Sequence, residues 1–376
     1  MPWSEGFSQV HARTRTNDRS IWPLWLIPLV LSGAGIIMIT SLTSHSFPDA
    51  PYDIPLKQCR FLGLGITAML VLYFTPLAPL RRAGWLIWAV SLALTFATLL
   101  PGVGVKVGGA RRWLDLGFIR FQPMEMLTMA APFFLADRLA KSQRDDAGCF
   151  WRPTMLVACL SALPMFFQPN MGGIILVFAI CMSTHAAARG WKYPLLASCG
   201  LALFFWAMIY MEGYRMRRLF AFLDPWKDPT DTGFQIIQGL VAFSNGGLTG
   251  VGIGKGLQKL NYLPAAHTDY IFPVIGEEFG LIGTMAVLAL YAAWTLAAWS
   301  LYRRADSVYH AVLIWGLAAS VLFPMFVNLG GVMKLIPLTG VPLPFMSAGG
   351  TAMVFMWVRV GLLMRVSAEI AEARQR

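Results

Sequence analysis

The side chains best suited to chemistry gather in residues 215–280. Arg215, Arg217, Arg218, Lys227 and Lys255 stand among Asp224, Asp228, Asp231 and Asp269, and His267, Glu277 and Glu278 lie in the same stretch. Carboxylates interleaved with guanidiniums fit a reaction in which an acid group takes up a proton while cations hold an anion. Asp224 and Asp228 each precede a proline, where aspartate serves equally well as an N-cap or an Asx turn. His267 and Asp269 fall one turn or more before Glu277 and Glu278, so this set reads either as metal ligands or as a polar network bracing the loop. Gly250, Gly252, Gly254 and Gly256 invite a nucleotide reading, but their spacing matches neither the dinucleotide fingerprint nor the phosphate loop.

The elements that must position these groups are membrane helices. A hydrophobic fraction of 57% with only 13% charged residues and a mean hydropathy of +0.59 excludes a soluble globule, which carries about 25% charge. Fourteen Trp and ten Tyr suit interfacial anchoring. The formal charge of +11 is scattered along the chain, which favours cytoplasmic loop retention and anionic membrane lipid over nucleic acid. The five cysteines show no CxxC pairing and read as core thiols. Residues 1–20 are polar, and the apolar run from Trp22 to Leu42 is long enough to stay as an anchor rather than a cleaved signal.

Spanning-length apolar segments fall near 22–42, 58–76, 84–100, 123–140, 152–167, 170–188, 191–213, 270–300, 308–330 and 345–366. The expected fold is an all-α polytopic membrane protein of about ten transmembrane helices. One membrane domain, 22–369, lies between cytoplasmic tails 1–21 and 370–376, and a large extracytoplasmic loop, about 214–269, joins helices 7 and 8. Short basic loops fall on one side when the N-terminus is cytoplasmic, which puts both termini inside. Within the long loop, the helical spacing from Phe234 to Gly246 predicts an interfacial or re-entrant helix.

Two outer segments are basic against that bias: 101–122 with Lys106, Arg111, Arg112 and Arg120, and the start of the long loop with Arg215, Arg217 and Arg218. The planar fork of arginine suits a phosphate or diphosphate ligand. Outer-leaflet headgroups, or pairing with Asp115 and Glu212, would account for the same residues. At membrane depth the ionisable groups are Glu125, Glu277, Glu278, Lys334 and Arg359. Glu125 opens a helix and suits its positive N-terminal dipole, Lys334 is placed to snorkel, and Arg359 is expected to reach the cytoplasmic interface.

Five stretches carry a resemblance over most of the chain: GARRWLDLGFIRFQPMEM at 109–126, QPNMGG at 168–173, YRMRRLFAFLDPWKDPTDTGFQIIQ at 214–238, GGLTGVGIGKGLQKLNYLPAAHTDYIFPVIGEEFGLIG at 246–283, and PLTGVPLPFMSAGG at 337–350. Together they resemble the SEDS family of lipid-linked peptidoglycan glycosyltransferases typified by FtsW and RodA, and QKLNYLPAAHTDYIFPVIGEE is closer to the FtsW pattern. The resemblance implies polymerisation of lipid II into glycan strands at the outer face of the bacterial cytoplasmic membrane. It also implies partnership with a monofunctional penicillin-binding transpeptidase within a division or elongation complex. The family's essential acid corresponds to Asp228 by the W-x-DP-x-x-x-G spacing. Substrate contacts are expected from Arg111, Arg112, Glu125, Arg217, Arg218, His267, Asp269 and Glu277. No cofactor or metal ligand set is assigned, although a divalent cation held by a carboxylate is an alternative source of positive charge.

Three positions depart from the family pattern. Thr128 stands where the family has Lys three residues after its glutamate, Asn170 replaces the acid of Q-P-D, and Ala348 replaces the Tyr of I-S-Y-G-G. Loss of both the Lys and the Asp is compensatory if they interact in relatives, since deleting a whole buried pair costs less than deleting half of it. The rival readings are a lipid II transporter and a non-catalytic scaffold that recruits a transpeptidase.

Overall fold

A computed structural model describes residues 21–46, 49–107, 109–117, 119–142, 151–211, 216, 220–231, 233–258, 263–264 and 266–375. Its long helices are α1 (Trp22–Ser46), α2 (Asp53–Phe74), α3 (Leu77–Ala97), α4 (Pro123–Ser142), α5 (Arg152–Phe167), α6 (Met171–Arg189), α7 (Lys192–Met211), α9 (Ile271–Arg303), α10 (Val308–Val332) and α11 (Gly350–Gln375), with the shorter α8 (Phe234–Gly246) between α7 and α9. Each expected apolar segment coincides with one of the long helices. Six of them, α1, α2, α6, α9, α10 and α11, are long and apolar enough to cross a membrane. α4 carries Glu125, Asp137, Arg138 and Lys141, and α5 is only 16 residues long. α11 begins at Gly350 rather than near 345 and continues as helix through Gln375.

Among the described residues the departure from an all-helical chain is a small antiparallel sheet, β1 (Gly104–Val107), β2 (Ala110–Asp115) and β3 (Arg120–Phe121), joining α3 to α4. β1 and β2 are too brief and too punctuated by glycine to show a clear alternating pattern in the sequence.

α10 is the axis of the bundle. Nearly every residue from Tyr309 to Val332 is buried, as expected of a helix that is apolar all round. It packs against α4, α6 and α9. Gly316 permits the closest approach, since a Cβ there would lie 2.7 Å from the Cβ of Pro132 on α4 and 2.9 Å from the Thr184 hydroxyl on α6.

Cross-links between the described connections divide them between two faces. One face carries the sheet, the turn at 168–170, the described residues of 223–270 and the loop 333–349; the other carries Arg81, Lys141, Arg189, Arg304 and Arg374. Cross-links hold each face together. On the loop-rich face, Gln168 Nε2 donates to Thr98 Oγ1 at 2.6 Å, and Gln58 bridges the loop by donating to Ser347 O at 3.0 Å and accepting from Gly349 N at 3.2 Å. On the basic face, Arg81 and Lys141 flank Asp137, and the Leu77 amide donates to Glu369 at 2.8 Å.

Candidate functional site

Asp228 lies on the loop-rich face, half-buried, at the end of the single 3-10 turn Pro225–Lys227. Its carbonyl accepts from the Gly233 amide at 3.0 Å, closing the turn 228–233 into a ring that leads directly into α8. Glycine is required at 233 because a Cβ would fall 2.1 Å from Pro225 O and 2.8 Å from Asp228 O. The Asp-Pro element therefore does form a tight turn, and that turn fixes where the carboxylate is presented. Gln235 Nε2 donates to Pro264 O at 3.1 Å, and Lys334 Nζ reaches Leu223 O at 3.5 Å, so both ends of the segment are tied to neighbouring loops. Lys334 thus approaches a backbone carbonyl and is half-buried, from a left-handed conformation with φ 58°.

α8 is the predicted helix, and it packs along the start of α9. α9 breaks at Gly280, where φ is 66° and ψ −160°. A helix break leaves carbonyls and amides without their i→i+4 partners. Here the loop 247–252 supplies them: Val251 and Gly252 donate to the carbonyls of Glu277 and Glu278, and Leu281 and Ile282 donate to those of Gly247 and Leu248. Glu277 completes the join. Its fully buried carboxylate accepts from Asn245 Nδ2, Leu257 N and Gln258 N, each at 3.1 Å. Glu278 accepts from Ser41 Oγ on α1 at 2.9 Å. These two acids therefore stitch the glycine-rich loop to the bundle, and no group of three or more His, Cys, Asp or Glu converges as a metal cage among the described residues.

His267 and Asp269 serve the next loop. His267 O accepts from the Ala348 amide at 2.8 Å, and Asp269 O accepts from Asn328 Nδ2 on α10 at 2.8 Å. Asp269 Oδ1 accepts from Thr268 Oγ1 at 2.9 Å, while its other oxygen faces Gly340. Burial lowers the His267 imidazole below the ordinary histidine value, and the nearby Asp269 charge opposes that shift. The imidazole is neutral near neutral pH.

Inside this face lies a cavity of about 50 Å³ lined by Arg112, Gln122, Glu125, Thr128, Asn170 and the backbone of Thr339–Pro342. Successive residues of a strand point to opposite sides, and of Arg111 and Arg112 only Arg112 faces the cavity. Arg112 Nη2 donates to Pro169 O at 3.1 Å. Asn170 caps α6 by accepting from the Gly173 amide at 3.1 Å, a duty that asparagine fills as well as aspartate. Arg217 and Arg218, the other expected cations, lie outside the described residues, as does Arg215.

Arg359 departs from expectation. Instead of reaching the cytoplasmic interface it is 1% exposed. Its Nε donates to Ser320 Oγ on α10 at 2.9 Å, and its Nη2 donates to Thr128 Oγ1 at 2.7 Å and Glu125 O at 3.1 Å. The Glu125 carboxylate lies 3.9 Å from the same nitrogen. Position along the chain misled here: α11 runs on to Gln375, so Arg359 sits well inside the helix rather than near its end.

Residues 21–372 match the profile of the cell cycle protein family FtsW/RodA/SpoVE. A probable peptidoglycan glycosyltransferase FtsW of Nitrosococcus halophilus (strain Nc4) is 36% identical over 352 residues, covering 91% of this chain and 90% of that one. One from Thioalkalivibrio sulfidiphilus (strain HL-EbGR7) is 35% identical over 363 residues, covering 93% and 90%. Among solved structures, a chain from work on a peptidoglycan synthase complex that coordinates polymerization and crosslinking superposes with a TM-score of 0.78 at 25% identity, covering 93% of this chain and 98% of that one. The crystal structure of the rod shape determining protein RodA of Thermus thermophilus shares the fold, with a TM-score of 0.70 at 23% identity, covering 93% and 96%.

Proposed function

The chain belongs to the FtsW/RodA/SpoVE family, and on that premise we propose that it is a multi-pass membrane peptidoglycan glycosyltransferase that polymerises lipid II, with Asp228 as its general base. The observation that carries the assignment of Asp228 is its place in a turn closed by the Gly233 amide, half-buried on the loop-rich face.

In the reaction, an acceptor sugar hydroxyl attacks the anomeric carbon of a lipid-diphosphate-linked donor. The new C–O bond forms as the C1–O bond to phosphate breaks, the hydroxyl proton passes to the Asp228 carboxylate, and the diphosphate leaves on its lipid. A single displacement inverts the anomeric centre. A positioned base contributes about 10²–10⁴-fold, and cations stabilise the departing diphosphate. Arg112 is the described cation best placed for that, because it faces the cavity. Arg217 and Arg218 remain candidates from the sequence.

The same reading puts the loop-rich face outside the cytoplasm and both termini within, because the short basic loops collect on the opposite face. The membrane domain spans 22–369 as ten helices, and residues beyond 369 continue α11 as a cytoplasmic tail. The partners are lipid II, the surrounding membrane lipids, and a monofunctional penicillin-binding transpeptidase in a division or elongation complex.

Purified protein in detergent, assayed on labelled lipid II with and without a candidate transpeptidase, tests this. Strand formation there excludes transport across a bilayer as the sole role. Asp228→Ala should abolish strands while leaving transpeptidase binding intact; full polymerase activity in that variant refutes the assignment.

A further inference from the structure

We infer that Arg359 is a positioning residue for the inner cavity, supplying from α11 the positive charge that faces Glu125 and fixes it in the cavity wall; this rests on the glycosyltransferase reading above. Three observations carry it. Arg359 is buried at 1% exposure in the middle of an apolar helix, where a charge is retained only with a partner or a use. Its Nη2 contacts meet the wall of one cavity, since Glu125 and Thr128 line that cavity, while its Nε is held by Ser320 on α10. Its Nη1 is buried with no hydrogen-bond partner, so this guanidinium is not fully spent on packing.

Thr128 explains the placement. It stands one turn after Glu125 on the same helix and carries only a short hydroxyl. A lysine side chain extending from position 128 would carry its ammonium into the space now held by the Arg359 guanidinium, 2.7 Å from Thr128 Oγ1 and 3.9 Å from Glu125 Oε2. Arginine suits the longer reach because its planar fork bonds Ser320, Thr128 and the Glu125 carbonyl at once and stays protonated when buried. Glu125 is thereby held in place in the cavity wall, able to orient hydroxyl or amide groups of a sugar or a peptide stem.

The test moves the charge to α4. Arg359→Leu is expected to lower kcat/KM for labelled lipid II by up to about 100-fold. The double variant Arg359→Leu/Thr128→Lys should recover most of that loss. Glu125→Gln/Arg359→Leu, which removes both charges, should match the rescued variant in melting temperature yet stay low in activity. If Arg359→Leu is too unstable to purify, the two double variants carry the comparison. Equal activity in both, or wild-type activity in Arg359→Leu, overturns the inference. Binding of labelled lipid II is measured alongside turnover. A wild type that binds but forms no strands sinks the polymerase reading alone, and binding that is unchanged across all variants sinks the role of Arg359.

Discussion

Asp228 and Glu277 are acids of the same loop-rich face, and the structure treats them in opposite ways. Glu277 is fully buried and accepts from an asparagine side chain and two loop amides. Asp228 is half-buried, and it is its backbone carbonyl that closes the turn on Gly233. A carboxylate whose lone pairs are taken by backbone donors is an anchor, because removing it strands each donor in a dry site. Asp228 stands instead in a turn whose geometry is secured by the main chain, a rigid frame of the kind that positions a functional group. The difference teaches that in this protein the folding acids precede the α9 break, while the acid proposed to react stands on the turn before α8.

Four measurements can break or sharpen that contrast. The largest effect is expected at Asp228→Asn, with strand synthesis falling about 10²–10⁴-fold and the melting temperature in detergent unchanged; a matching fall in stability would place Asp228 among the anchors. Glu277→Ala should do the reverse. It strands three donors at about 1–3 kcal/mol each before relaxation, so the melting temperature should drop and proteolysis should appear within 247–258; wild-type stability would break the comparison from the other side. Gly233→Ala forces the 228–233 ring open to relieve contacts that no side chain tolerates, and should cost about 1–3 kcal/mol together with activity, measured as melting temperature and initial rate.

The smallest effect concerns His267. Its pKa is lowered by burial in the folded protein, so folding favours the neutral form. The unfolded chain then binds more protons below its own pKa, about 6.5, and stability is present above that value and declines as pH falls through it toward the folded pKa. His267→Gln should lessen the loss of melting temperature between about pH 7 and about pH 5. An unchanged acid sensitivity would remove His267 from the account.

Much of the architecture was legible as pattern. Hydropathy located every long helix, and the spacing from Phe234 marked α8. Short-range chemistry was legible too, as in the turn at Asp228-Pro229. What escaped was whatever depends on partners far apart in the chain. The sheet before α4 has strands too short to show a period. Arg111 and Arg112 look alike until the strand points them apart. The kink at Gly280 and the loop stitched through it give no local signal beyond a glycine among many.

By itself the sequence determined that this chain lives in a membrane, where its helices fall, and which loop carries mixed charge, because transfer of apolar side chains from water is a sum over neighbours in the chain. Only the tertiary structure decided what each charge is for. Arg359 meets the Glu125 carbonyl across 234 positions, and Gln58 meets Ser347 across 289. Whether a buried polar group is an anchor or an instrument depends on which donors stand beside it, and those donors are assembled only when the helices pack.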